Sequence, residues 1–178
     1  MKYLLLIVVA IFFACEDDVY HSEENHKVYF QFEYVNYAWT PQHEGFIVDK
    51  HGNIFEYDNP GDWNHVESNR ISVDKFQDNM DKSETSLKTV DGTELNKMLG
   101  LAFTARKGKL TDLKSVMNDA GAESYYIYIA KEGDEQLTRY LLQMRGDNYQ
   151  KNDSSAAEEI TDWLIGIRGE EGFSDEHF

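Results

Sequence analysis

The sequence predicts an α+β fold: a single domain in which one antiparallel sheet is packed by three to four helices. Three observations carry this. Strand-like alternation concentrates in two blocks, residues 28–57 and 124–144. Helical spacing fills much of the interval between them and returns near the end. Hydrophobic residues make up 41% of the 178, with aromatics at 13%, so the chain can fill a core. Strands grouped together and helices grouped together point to an antiparallel sheet, where a strict β-α alternation would point to a parallel one.

In order along the chain, residues 28–39 (VYFQFEYVNYAW) alternate Val28, Phe30, Phe32 and Tyr34 with Tyr29, Gln31 and Glu33. That period of two predicts a strand with one buried face, ended by Pro41. Phe46-Ile47-Val48 and Ile54-Phe55-Glu56-Tyr57 then read as hairpin arms. The turn between them, Asp49 to Asn53, contains Gly52, which supplies a positive φ without steric penalty. Asp58-Asn59-Pro60-Gly61 forms a second turn, followed by a polar stretch around Trp63.

Helices come next. Ser72 caps a short one carrying Val73, Phe76 and Met80 on one face. Asp91 and Glu94 have the spacing of a capping box. Behind them Leu95, Met98, Leu99, Ala102 and Phe103 form an apolar stripe. A further helix is predicted over Leu110 to Ala120, with Leu113, Val116, Met117 and Ala120 inward and Gly121 as its stop. Residues 124–131 and 136–144 then make a strand pair joined by Glu132-Gly133-Asp134-Glu135. The last helix starts at Ser155, with Glu158 completing its capping box, buries Ile160, Trp163, Leu164 and Ile167, and ends at Gly169.

Charge bounds the function. The formal net charge is −16, which excludes phosphate-backbone recognition by the chain as a whole, so no nucleic-acid partner is expected. It also disfavours attraction of the whole chain to an anionic lipid surface. Residues 3–13 (YLLLIVVAIFF) are an uncharged apolar run behind Met1-Lys2. Eleven residues fall short of the ~20 that span a bilayer but fit the core of a secretory signal. Ala14 and Cys15 follow, then Glu16-Asp17-Asp18.

This segment resembles the lipobox signal of bacterial lipoproteins. The resemblance implies removal of residues 1–14 and a diacylglycerol on Cys15, the only cysteine. The acidic residues directly after that cysteine resemble the export signal of Bacteroidetes surface lipoproteins, implying an outer-membrane protein that faces outward. The implied division is a signal peptide over 1–14, an acylated, flexible acidic tether over 15–26, a globular domain over 27–169 and an acidic tail over 170–178. The expected partners are the membrane, through the lipid, and an envelope protein or glycan.

Chemistry-bearing motifs are sparse. There is no Gly-x-Ser-x-Gly elbow, and the sole thiol is assigned to lipid. His43-Glu44 lacks the second histidine of a His-Glu-x-x-His helix, and the six histidines have no ligand spacing. No cofactor is expected. An oxygen-rich loop offers Asp147, Asn148, Asn152 and Asp153 to a hard cation such as calcium, but lacks the EF-hand pattern, and such loops are commonly turns. The aromatic cluster around Pro41 is the most suggestive feature: Tyr37, Trp39, His43, Phe46 and Trp63 are the candidate contact or sugar-stacking residues. The function these features predict is a lipid-anchored, non-enzymatic binding or accessory module. The alternative is a tethered hydrolase acting on envelope or environmental polymers.

Overall fold

A computed structural model of the chain describes residues 25–38 and 40–171. The signal-like segment, Cys15, most of the tether, Trp39 and residues 172–178 lie outside the described residues. Among the described residues the fold is an open antiparallel sheet of nine strands with three helices. The strands are β1 (His26–Asn36), β2 (Gln42–Val48), β3 (Asn53–Asp58), β4 (Arg70–Ser72), β5 (Glu84–Thr89), β6 (Lys114–Ser115), β7 (Ala122–Lys131), β8 (Gln136–Gly146) and β9 (Asn148–Lys151). The helices are α1 (Val73–Asp81), α2 (Gly92–Ala105) and α3 (Ser155–Glu171). Strand order is β5-β3-β2-β1-β7-β8-β9-β6, with β4 pairing beside the first half of β8.

β1 is the centre of the sheet, and its alternation sorts the molecule into layers. Val28, Phe30, Phe32 and Tyr34 all point to one face and are buried there, with Phe46, Val48, Tyr125 and Ile127 from the flanking strands. α2 and α3 close over that face. α2 buries Leu95, Met98 and Ala102; α3 buries Ile160, Trp163, Leu164 and Ile167. Each such aromatic or branched side chain contributes roughly 1.5–3 kcal/mol on burial. Glu123, 1% exposed, is held on this face by Arg168 at 2.6 Å and by Arg145. The opposite face carries Gln31, Ile47, Tyr57, Tyr128 and Leu137 and is covered only by α1 and the 59–69 loop.

Local signals fixed the element ends where a cap was present. The Ser72 side chain accepts the Lys75 N–H, and Asp91 Oδ1 accepts those of Thr93 and Glu94. Asp49 closes the β2–β3 turn by accepting from His51 and Asn53, while Gly52 takes φ +84°. At α3 the cap is Ser154, one residue earlier than predicted, since its Oγ accepts the Ala156 N–H. The helix runs through Gly169 to Glu171; glycine weakens a helix without stopping one that is packed along its length.

The sheet has nine strands where sequence alternation predicts five. β4, β5, β6 and β9 are short or polar, and pairing with a neighbour rather than alternation makes them strands. The predicted helix over 110–120 does not form. Thr111 N–H donates to Lys151 O and Val116 N–H to Asp147 O, so the segment runs extended along β9. Asp153 Oδ1 also accepts the Lys109 N–H at its start. α2 and α3 already cover the apolar face of β1 and its neighbours. Leu113 and Val116 are accordingly each 58% exposed.

Candidate functional site

The half-covered face carries the site. Gln31 and Glu33, the polar positions of β1, point to it beside His43 of β2, Tyr57 of β3, and Tyr126 and Tyr128 of β7. Arg139 joins them from β8, opposite Tyr128. α1 forms the far wall: Phe76 packs on Tyr128 with ring centroids 4.7 Å apart. Buried Asn79 holds the loop in place by accepting the Asn64 N–H and donating to Asn64 O. That pair of bonds ties the segment next to Trp63 to α1. Trp63 lies 4.4 Å from Tyr57 and 5.4 Å from His43, centroid to centroid.

A cavity of about 140 Å³ opens between the loop, α1 and the sheet. Its floor is polar. His43 Nε2 and Glu33 Oε1 are 2.9 Å apart, and the ring stands edge-on to Tyr57 and Trp63. His65 stacks over the same ring at 6.1 Å. Asn59 fixes the backbone at His43 by accepting its N–H and donating its own to His43 O. Beneath runs a hydrogen-bond chain: the Tyr128 hydroxyl donates to Gln31 Oε1, Gln31 Nε2 donates to the Tyr57 hydroxyl, and Tyr57 donates to Phe32 O. Every member of this buried chain is satisfied, which makes the floor rigid.

Gly45 makes room for the chain. A Cβ there would stand 2.1 Å from Phe32 O and 2.7 Å from the Tyr57 hydroxyl. Burial pushes the Tyr57 and Tyr128 hydroxyls well above the ordinary tyrosine range, with Glu33 adding to the effect, so both remain proton donors.

Of the sequence-predicted contact residues, the structure brings Tyr37, His43 and Trp63 to this cavity. Tyr37 is on its rim, 65% exposed. Trp39 lies outside the described residues. Phe46 is a correction: β alternation turns it to the helix face, where it is fully buried against Phe32. Gln31, Glu33, Tyr128 and Arg139 were missed. A signal existed, because polar residues at alternate positions of an otherwise aromatic strand mark a wet face.

The oxygen-rich loop is taken up by backbone work. Asp147 accepts from Ala120, Asp153 from Lys109, and Asn152 from Ser154, while Asn148 belongs to β9. Among the described residues no cluster of three metal-ligating side chains occurs, and no helix is long and apolar enough to cross a membrane.

A wider groove of about 380 Å³ lies between β5, the start of α2, and α3. It is lined by Lys88, Asp91, Glu94 and Asp162 around Trp163. The smaller cavity is the candidate site, because its charged, hydrogen-bonding and aromatic groups are held against one another: Glu33 on His43, and His43 against Trp63. Fold and site together define an α+β sheet protein with a small polar cavity under an aromatic wall. Comparison with protein-family models, curated proteins and solved structures finds no match for the chain.

Proposed function

We propose that this protein is a bacterial outer-membrane lipoprotein, anchored through lipid on Cys15, that binds a sugar residue of an envelope glycan in the cavity beside His43. The observation that carries the binding reading is the meeting of Trp63 with the Glu33–His43 pair. A sugar ring has an apolar C–H face and a rim of hydroxyls. Trp63 offers the surface for the first, and Glu33 with His43 offers partners for the second. The cavity is below the several hundred Å³ of a drug-sized site, which suits one terminal residue rather than a chain.

One observation favours the hydrolase alternative: a carboxylate on one imidazole nitrogen is the arrangement that orients a general base. Against it, among the described residues Glu33 is the sole carboxylate lining the cavity, and no Ser, Thr, Cys or Lys among them lines it. Acid-base cleavage of a glycosidic bond commonly uses two carboxylates. The reading is tested by glycan-array binding of the detergent-solubilised protein. Trp63→Ala is expected to abolish binding, and retention of full binding would overturn the site. Cys15→Ser is expected to move the protein from the membrane to the soluble fraction. Release of shortened glycan by the unaltered protein would favour the hydrolase.

A further inference from the structure

One charged group in the cavity is left over from the bonds already described. Arg139 enters from β8, while Glu33 comes from β1, so the two stand on either side of β7. The Arg139 guanidinium carbon lies 4.4 Å over the Tyr126 ring, and Arg139 stands opposite Tyr128 in the β7–β8 register. Among the described residues, no carboxylate oxygen lies within ion-pair distance of it. In a chain with 33 acidic and 17 basic residues, a half-buried arginine with no ion pair among the described residues is unexpected. Glu33, in the same cavity, is committed to His43 instead.

We propose that the sugar bound here carries a carboxylate, as a uronic acid does, and that Arg139 is the residue that reads it. This rests on the reading of the cavity as a saccharide site. Cation–π attraction to Tyr126 fixes the guanidinium in place and engages its plane, not the N–H donors along its edge. Those donors match a carboxylate held at two points. The same site disfavours a dianion such as phosphate. Glu33 and Arg139 together contribute no net charge, so one negative charge meets the arginine, but a second would face Glu33 unpaired. With its carboxylate on Arg139, the sugar occupies the cavity between that arginine and Trp63, on the side where the Glu33–His43 pair lies.

The test is calorimetric titration of the full chain in detergent with glucuronate, glucose and acetate. Glucuronate is expected to bind at least ~10-fold more tightly than glucose, the scale of one charge-assisted pair. Acetate, lacking the ring, is expected to bind more weakly than glucuronate. Arg139→Gln is expected to remove the preference for glucuronate over glucose. Arg139→Lys, which keeps the charge but not the fork, is expected to retain part of it and covers the case in which the glutamine variant fails to fold. Equal affinity for glucuronate and glucose overturns the carboxylate assignment, as does a preference that survives both substitutions. Acetate binding as tightly as glucuronate overturns the sugar specificity. Absence of binding by either sugar overturns the saccharide site itself, a different result from equal binding of both.

Discussion

Replacing Gly45 with alanine tests whether the cavity floor and the β1–β2 pairing are one unit. The added Cβ would lie 2.1 Å from Phe32 O, a backbone atom of the neighbouring strand, and 2.7–2.9 Å from the end of the Tyr57 ring. Phe32 O must retreat by about 1 Å, a large change against the ~4.8 Å separation of paired strands. Overpacking of this kind costs about 1–3 kcal/mol. Moving Tyr57 also breaks the buried bonds it makes with Gln31 and Phe32 O, at about 1 kcal/mol each. The total is ~3–5 kcal/mol, which lowers the melting midpoint by roughly 10 °C in a chain of this size. Thermal unfolding followed by circular dichroism reads the shift, and tryptophan fluorescence reports whether Trp63 loses its seat on Tyr57. A midpoint within about 2 °C of the parent would refute the reasoning, because it would mean that β1 and β2 separate freely and that Tyr57 is not held by its bonds.

Two further outcomes follow from buried polar groups. Glu123→Gln leaves the Arg168 guanidinium, 4% exposed, without its counter-charge in the core; removal of one partner of such a pair is expected to destabilise the fold by about 3 kcal/mol, read by urea denaturation. Alkaline stability should fall early. Burial, reinforced by Glu123, raises the Tyr125 hydroxyl to about 12, and burial raises Tyr57 and Tyr128 as well. The unfolded chain releases these protons near pH 10, so the stability they contribute is complete below pH 10 and is lost as pH rises through about 12 and beyond. Melting midpoints at pH 8 and pH 11 check this, and Tyr57→Phe should show a smaller drop between them. A parent protein with the same midpoint at both values would contradict it.

The sequence by itself determined the parts whose signals are local. Alternation in β1 sorted Phe30 and Phe32 from Gln31 and Glu33, because in a strand adjacent side chains point to opposite faces. The Ser72 and Asp91 caps placed two helix starts, since a capping side chain bonds backbone two or three residues away. Other features depended on partners distant in sequence. Leu110 to Ala120 has helical spacing, yet the open edge of β9 and an apolar face already covered by α2 and α3 drew it out as an extended chain. Phe46 sits among the aromatic candidates in sequence, but the register of β2 against β1 sends it to the opposite face from His43. The cavity itself gathers Glu33, His43, Trp63 and Arg139 from separate strands and a loop. Only the order of strands in the sheet brings Arg139 into the cavity that Glu33 also lines, because sequence spacing carries no information about which strands become neighbours.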